Sequence, residues 1–333
     1  MGRTVGEQVI VITGGSSGIG RATALEAARR GARVAIAARG EEALASAHDE
    51  IAHVGGEVLS AVLDVADPEA VDAFAEDVAA RWGRIDTWVN AAAVSVYGEF
   101  ADIPPAEFQR VLLVDIVGTA NGCRAAIARM RQQEEGGTIV NISSGLGDRT
   151  VPLQSAYSAA KSAVNGLSES LRMELEHAGL PIRVTVVKPA SIDTPFFGHA
   201  RSHMDAEPAP VPPVYDPSVA AEAILYAAGH PVRDLPVGGA SAVLGILEGL
   251  APRTLDRQLR VAAYPLQKGD TIDGRPRPDN LWAGSPGPGS VRGGHAGRRF
   301  SLYTALRINP AARRAAIAAA ALAGFVAARR TGG

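Results

Sequence analysis

The stretch TGGSSGIG at residues 13–20 decides the fold class. It follows the apolar run EQVIVIT at 7–13 and opens the helical pattern GIGRATALEAARRGA at 18–32. Glycines between a strand and a helix allow a tight turn and let the backbone approach a pyrophosphate, which the positive end of the helix dipole attracts. A plain glycine-rich turn is the alternative, but the position after the first strand favours phosphate binding. The candidate contacts are Gly14, Ser16, Ser17, Gly18, Ile19 and Gly20.

The alternation of strand and helix patterns continues outward from this turn to about residue 190. Short, nearly all-apolar runs are typical of parallel strands covered on both faces, and the amphipathic segments between them are typical of crossover helices. We therefore predict a Rossmann-like doubly wound α/β fold, a parallel sheet with helices on both faces and a ligand site at the carboxyl ends of its strands. The further strand-like runs lie at 33–38, 57–65, 85–93, 136–144 and 181–190.

The alternation of strand and helix patterns stops after Pro189. Residues 189–217 are Pro-rich, and irregular segments of that length are typical of functional lids or of disordered segments. We predict a lid at about 190–215, then a last strand and helix within 235–250, which completes a catalytic domain of residues 1–250. Residues 251–333 are predicted to be a largely irregular and helical C-terminal extension, with a Gly/Pro/Arg-rich segment at 268–299 and an Ala-rich terminal helix.

The composition argues against several classes of function. The 333 residues are 47% hydrophobic and 20% charged, with a net charge of −2, so nothing points to nucleic acid as a partner. The single cysteine, Cys123, excludes an intrachain disulfide and indicates a reducing compartment. The N-terminus enters a strand pattern at once, without the features of a signal peptide. We predict a cytoplasmic location.

A second motif, YSAAK at 157–161, places Tyr157 and Lys161 four residues apart. Residues at this spacing share one face of a helix. A free tyrosine is a weak base at neutral pH, since its pKa is about 10. A lysine ammonium beside it stabilises the phenolate and lowers that pKa. Ser144 ends the strand-like run before this helix and is the candidate partner, with its neighbour Ser143 as the alternative.

The order and spacing of these motifs resemble the short-chain dehydrogenases/reductases over about residues 6–240. The resemblance implies hydride transfer between a nicotinamide cofactor and a carbonyl or alcohol. It implies that Tyr157 is the general acid/base, that Lys161 also holds the nicotinamide ribose, and that Ser144 bonds to the substrate oxygen. It also implies cofactor contacts from Asp64 at the adenine, from Thr194 at the carboxamide, and along the cleft from Val65, Asn90, Ala91, Pro189 and Ile192.

The end of the second strand bears on the choice of cofactor. A carboxylate there binds the ribose 2′-hydroxyl of NAD(H), whereas an arginine accommodates the 2′-phosphate of NADP(H). Here Ala38 is followed by Arg39, which favours NADP(H). Glu41 and Glu42 lie near enough to offset the charge of Arg39. NAD(H), with Arg39 as an exposed residue opening a helix, remains the alternative.

Asp115 departs from the family pattern, which has an asparagine at this place in a proton relay. Aspartate has a similar shape but adds a negative charge and loses the amide donor. An ionised Asp115 near Lys161 would hold the ammonium more tightly and weaken its influence on Tyr157. We predict a working but altered relay with a shifted pH optimum.

The predicted substrate is an apolar ketone or secondary alcohol, because the residues expected around the site are mostly apolar. The rival interpretation is a cofactor-binding sensor or scaffold with little turnover, and the intact Ser144 argues against it. We predict no metal site, since His199 and His203 have no third ligand in the pattern. The candidate pocket residues are Val94, Val96, Tyr97, Leu146, 151–153, Phe196 and Phe197.

Two further predictions concern partners. The family resemblance implies pairing through the long helices, here at about 106–133 and 155–178, in a homodimer or homotetramer. The apolar stretch at 315–328 lies between arginine pairs and is shorter than the roughly 20 residues of a membrane span. It therefore suits contact with an anionic membrane surface, or docking on this domain or a partner subunit.

Overall fold

A sheet of seven parallel strands forms the centre of the molecule. A computed structural model of the chain describes residues 3–271, 277–309 and 311–314. The strands cross the sheet in the order β3-β2-β1-β4-β5-β6-β7, and every neighbouring pair is parallel. This confirms the predicted doubly wound sheet. In chain order the strands are β1 (Val9–Thr13), β2 (Arg33–Ala38), β3 (Val58–Val62), β4 (Thr87–Asn90), β5 (Gly137–Ile142), β6 (Ile182–Pro189) and β7 (Asp234–Val237).

Helices cover both faces of this sheet. The side chains of β1 alternate between two buried clusters: Ile10 and Ile12 face one, and Val9 and Val11 face the other. The helices on the Ile10 face are α1 (Gly18–Arg29), α2 (Glu41–His53) and α8 (Pro217–Gly229), and those on the Val9 face are α3 (Pro68–Trp82), α4 (Pro105–Leu112), α5 (Gly118–Met130) and α6 (Ser155–His177).

A π-helical turn, Leu113–Val117, joins α4 to α5 and carries the buried Asp115. The helix predicted at 106–133 is thus continuous from Pro105 to Met130 but widens at its centre. Such turns are frequent at functional sites. By length and hydropathy Pro105–Met130 could cross a membrane, yet 56% of its apolar window is buried, as expected of a core helix.

The predicted lid holds short elements rather than a plain coil. It contains α7 (Phe196–His199), and Arg201–Ser202 pairs with Val96–Tyr97. Ala206–Pro208 pairs antiparallel with Lys268–Thr271 of the extension. The strand and helix predicted within 235–250 are β7 and α9 (Gly239–Leu250).

Described residues of the predicted C-terminal extension pack on the sheet and its helices. The extension begins with α10 (Pro252–Leu266), and α11 (Leu302–Ile308) contacts α8 and β7. Leu281 has no exposed surface and belongs to the same buried cluster as Val9 and α3. The Ala-rich terminal helix predicted at 315–328 lies outside the described residues.

Candidate active site

The predicted phosphate-binding turn follows β1 and opens α1. Gly14 has φ +75°, and a Cβ there would lie 2.6 Å from the backbone nitrogen of Ala92. Only glycine therefore lets this turn pack against the loop after β4. Within the part of the chain that the structure describes, the N–H groups of Ile19 and Gly20 have no acceptor. Two free donors at a helix N-terminus suit a phosphate.

A cavity of about 500 Å³ runs along the carboxyl edge of the sheet, from the loop after β2 to the start of α6. The turn after β1 lies between its two ends. The cavity brings together all the predicted cofactor and catalytic residues except Asn90 and Asp115. Those that line it are Gly14, Ser16, Ser17, Gly18, Ile19, Gly20, Arg39, Asp64, Val65, Ala91, Ser144, Tyr157, Lys161, Pro189, Ile192 and Thr194.

Asn90 does not line the cleft with its side chain, which corrects the prediction. Its Oδ1 accepts from Trp88 Nε1 at 2.8 Å, and its Nδ2 donates to Asn141 Oδ1 at 2.8 Å. These bonds satisfy the amide inside the sheet. Asn90 thus links β4 to β5, and Ala91 and the alanines after it face the cavity instead.

Tyr157 and Lys161 lie on one face of α6, as their spacing predicts. Lys161 Nζ lies 5.3 Å from the centre of the Tyr157 ring and donates to the carbonyl of Ile142 at 3.2 Å. The Tyr157 ring also packs against Phe196 of the lid, with 5.2 Å between ring centres. These contacts fix the ring where the cavity ends.

The pKa of Tyr157 is raised above its ordinary value in the protein alone. Burial is the main cause, and the Asp115 carboxylate raises the pKa further. Lys161 and Ser144 act in the opposite direction but do not outweigh burial. Lys161 thus lowers the pKa of Tyr157 as expected, but burial raises that pKa by more, so the pKa stays above its ordinary value.

Asp115 lies directly behind Lys161 and has no exposed surface. Its Oδ1 accepts from the backbone N–H of Val94 at 2.8 Å, and its Oδ2 lies 3.3 Å from Lys161 Nζ. Burial alone would lower the pKa of Lys161, but Asp115 and Tyr157 outweigh burial and raise it. Burial raises the pKa of Asp115, against the effect of Lys161. Asp115 thus pairs with Lys161 and also raises the pKa of Tyr157 directly through its charge.

The two serines at the end of β5 differ in their contacts. The Ser143 hydroxyl donates to the backbone carbonyl of Lys161 at 3.0 Å and so ties the strand to α6. The Ser144 oxygen accepts from the N–H of Leu146 at 3.0 Å, and its hydroxyl lowers the pKa of Tyr157 through a side-chain hydrogen bond. Of the two, Ser144 has the donor that a substrate oxygen requires.

Charged groups meet at the opposite end of the cavity. Asp64 Oδ1 accepts from the N–H of Ala66 at 3.0 Å, and Oδ2 bonds to the guanidinium of Arg110. Arg39 Nη1 lies 3.8 Å from Oδ2. Burial would raise the pKa of Asp64, but the Ala66 and Arg110 bonds outweigh it, and the pKa is lowered. Two arginines against one carboxylate leave this end positively charged.

The other end of the cavity is apolar. Val96 and Tyr97 are fully buried core residues and do not line it, because their short strand is covered by the lid. This corrects two of the predicted pocket positions; Leu153 is likewise in the core. The lid, α9 and α10 contribute side chains that the sequence did not single out. The apolar lining here is Val94, Leu146, Val151, Phe196, Phe197, Val211, Val243, Leu244, Leu259 and Leu266.

The sequence also gave no indication of which part of the extension reaches the site. Asn280, Gly284, Ser285 and Gly289 line the cavity beside Arg39 and the glycine turn. Asp193, next to Thr194, accepts backbone N–H bonds from this segment. The density of glycine at 284–297 was the available signal, since glycine permits close approach of two backbones.

A doubly wound sheet with a phosphate-binding turn, a serine, and a tyrosine–lysine pair on one cavity defines a nicotinamide-dependent oxidoreductase. Residues 8–205 match the family model of the short chain dehydrogenases, and the chain belongs to this family.

Known proteins similar to this chain agree with that class. The chain is 39% identical to YxnA, an uncharacterized oxidoreductase of Bacillus subtilis (strain 168), over 96% of this chain and 89% of that protein. An alcohol dehydrogenase from the archaeon Thermococcus sibiricus, complexed with 5-hydroxy-NADP, has TM-score 0.59 and 27% identity over 69% of this chain and 94% of its own. A short chain dehydrogenase from Mycobacterium paratuberculosis, bound to NAD, has TM-score 0.63 and 26% identity over 71% of this chain and 97% of its own.

Proposed function

We propose that the protein is an NADP(H)-dependent oxidoreductase that interconverts apolar ketones and secondary alcohols, with Tyr157 as the general acid/base. The observation that carries this proposal is the shared cavity, which Ser144, Tyr157 and Lys161 line at one end and Arg39 at the other. Arg39 would hold the adenosine half of the cofactor, and Lys161 the nicotinamide ribose. The free N–H groups of the glycine turn would hold the pyrophosphate.

The chain's own residues handle the proton. A bound nicotinamide supplies or accepts the hydride. In carbonyl reduction the Tyr157 hydroxyl gives its proton to the carbonyl oxygen, and in alcohol oxidation its phenolate takes the hydroxyl proton. The Ser144 hydroxyl donates a hydrogen bond to the same oxygen. The Lys161 ammonium stabilises the negative charge on Tyr157, and Asp115 holds that ammonium in place.

The apolar lining supports a lipophilic substrate. Among the described residues, no aspartate, glutamate or arginine lines the substrate end of the cavity. Two basic side chains line this end, but Asp115 already neutralises Lys161, and burial lowers the pKa of His199. A charged acid would therefore lose its hydration there without a free counter-charge. We expect aliphatic and cyclic ketones to be reduced with higher kcat/KM than keto acids or sugars. Oxidation of NADPH across such a panel tests this, and a preference for keto acids would overturn it.

Arg39 supports the choice of NADP(H). Burial lowers the pKa of Arg39, against the effect of Asp64. An arginine nevertheless stays charged in proteins. Ala38 before it offers no carboxylate for a ribose 2′-hydroxyl. The net positive charge of Arg39, Arg110 and Asp64 favours a phosphate at this end.

Replacing Arg39 by alanine (Arg39→Ala) should raise KM for NADPH by about 10- to 100-fold, because a charge-assisted bond to the 2′-phosphate is lost. KM for NADH should change much less. The ratio of the two KM values isolates the 2′-phosphate from general damage to the site. Arg39→Lys, which keeps the charge and loses the planar fork, should fall between. An unchanged ratio in Arg39→Ala would remove the argument for NADP(H).

Replacing Asp115 by asparagine (Asp115→Asn) should move the pH profile of alcohol oxidation to lower pH. The carboxylate raises the pKa of Tyr157, so its removal lowers that pKa and increases the fraction of phenolate. Oxidation near neutral pH should become faster, on the order of tenfold. The asparagine Oδ1 can still accept from Val94. Identical pH–rate profiles of kcat for the wild type and the variant would contradict the role given to Asp115.

A further inference from the structure

Residues 277–298 of the extension, which we call the strap, cross the carboxyl edge of the sheet. The carbonyl of Ser290 accepts from the N–H of Gly18 at 2.9 Å, and the carbonyl of Pro288 accepts from Arg21 Nη1 at 2.8 Å. Leu281, near the start of the strap, is fully buried. The strap is therefore built into the fold beside the phosphate-binding turn.

The strap also contacts the residue that we assign to the cofactor's 2′-phosphate. Arg39 Nη1 donates to the carbonyl of Leu281 at 3.2 Å, and Nη2 donates to the carbonyl of Asn280. A Cβ on Gly284 would overlap the backbone of Gly40. The carbonyl acceptors are neutral, so they orient the guanidinium and leave its positive charge in place, whereas a carboxylate would cancel that charge.

Two ion pairs hold the strap at points that do not line the cavity. Near its start, Asp279 pairs with Arg201 of the lid at 2.8 Å. Near its end, Arg292 pairs with Asp216 at 2.6 Å. Neither Asp279 nor Arg292 lines the cavity. Both anchors can therefore be removed without deleting a side chain that lines the cavity. Asp279 Oδ1 also accepts from the N–H of Leu281 at 2.9 Å, so Arg292 is the anchor that does not contact the Arg39-binding part of the strap.

Asp193, next to Thr194, forms a third anchor through hydrogen bonds to the backbone of the strap. Its Oδ1 accepts from the N–H groups of Gly293 at 3.0 Å and His295 at 2.8 Å, and its Oδ2 accepts from Gly297 at 3.4 Å. Asp193 has 2% of its surface exposed. Three backbone donors converging on one buried carboxylate fix the strap next to Thr194.

The middle of the strap lines the cavity with small groups. Gly284, Ser285 and Gly289 face the same space as Arg39 and Asp64. The cavity persists beneath them, so the strap covers the space and does not fill it. A ligand lying between Arg39 and the glycine turn would have the sheet on one side and the strap on the other.

We propose that the strap is part of the dinucleotide site, where it roofs the adenosine half of NADP(H) and orients Arg39 toward the 2′-phosphate. The proposal rests on the function proposed above. Because the strap is anchored at Asp193, Asp279 and Arg292, the cofactor enters and leaves only when the strap lifts. Cofactor exchange is therefore slow, and the strap sets its rate.

The test measures cofactor exchange in the full chain without substrate. Asp279→Ala and Arg292→Ala, singly and together, release the anchors, and Arg233→Ala is the matched control. Arg233 is exposed, directly precedes β7 at the amino edge of the sheet, and pairs with Glu169 and Asp234. Stopped-flow fluorescence of NADPH gives the association and dissociation rate constants. Both should rise about tenfold in each single variant, since one charge-assisted contact corresponds to about this factor, and further in the double variant, which loses two contacts. They should stay unchanged in the control.

Hydrogen exchange distinguishes a strap that covers bound NADPH from a strap that NADPH displaces. Under the proposal, saturating NADPH slows amide exchange in 277–298, because the strap closes on the bound cofactor. Faster exchange on binding would mean that NADPH displaces the strap, and would overturn the proposal. Tight binding with unaltered rate constants in the double variant would overturn the strap proposal alone. Failure of NADPH and NADH to bind the wild type would overturn the proposed function with it.

Discussion

Replacing Tyr157 by phenylalanine (Tyr157→Phe) is expected to lower kcat for ketone reduction by about a thousandfold, because the substrate oxygen loses its proton donor. The phenyl ring retains the packing against Phe196, which involves ring atoms only. The dissociation constant for NADPH should stay within about twofold, since the hydroxyl group is the only change. Steady-state kinetics and a fluorescence titration of NADPH measure the two quantities separately.

Tyr97→Phe is the matched control. Tyr97 is fully buried close to the site, and its hydroxyl has no hydrogen-bond partner among the described residues. Removal of that hydroxyl leaves no partner unsatisfied, so kcat and the free energy of unfolding should stay close to those of the wild type. A loss of activity in Tyr97→Phe equal to that in Tyr157→Phe would show that the effect comes from packing and not from proton transfer.

Replacing Lys161 by methionine (Lys161→Met) should have two large effects. Activity should fall by at least a hundredfold, since Tyr157 loses the cation that stabilises its phenolate. The free energy of unfolding should fall by about 3 kcal/mol, because the fully buried Asp115 loses its counter-charge. Activity assays and chemical denaturation measure these effects independently.

The sign of the pH dependence follows from the unpaired carboxylate. Without Lys161, the pKa of Asp115 in the folded state lies above its unfolded value, so folding favours the protonated form. The loss of stability should therefore be small near pH 4 and should grow as the pH rises through the folded-state pKa. Lys161→Met combined with Asp115→Asn should recover at least half of the lost stability but none of the activity. Equal stability losses in the single and the double variant would contradict a buried Lys161–Asp115 pair.

The fold and the shared helix face of Tyr157 and Lys161 could be predicted because their signals are local. A glycine turn between a strand and a helix, and a tyrosine and a lysine four residues apart, have fixed geometry wherever the helix lies. The sheet and family were confirmed, together with the nicotinamide cofactor class. The role of Asp115 as a neighbour of Lys161 was expected from the resemblance, and the structure brings the two together at 3.3 Å.

Long-range contacts could not be predicted in the same way. The side chain of Asn90 turns into the sheet because Trp88 and Asn141 offer it partners there, and Asn141 lies on another strand. The strap meets Arg39 across about 240 residues of sequence. No periodicity links segments that far apart, and the glycines at 284–297 permit a close approach of two backbones without indicating which segment is approached. The oligomeric state, the location and the membrane contact stay predictions.

The most direct test of the account follows the hydride itself. NADPH that carries deuterium in place of the transferred hydride on the nicotinamide ring is incubated with the protein and a panel of apolar ketones. The products are analysed by mass spectrometry. We predict one deuterium on the carbinol carbon of at least one product with the wild type, and almost none with Tyr157→Phe. Binding of NADPH without transfer to any ketone would contradict the account and favour a cofactor-binding sensor or scaffold.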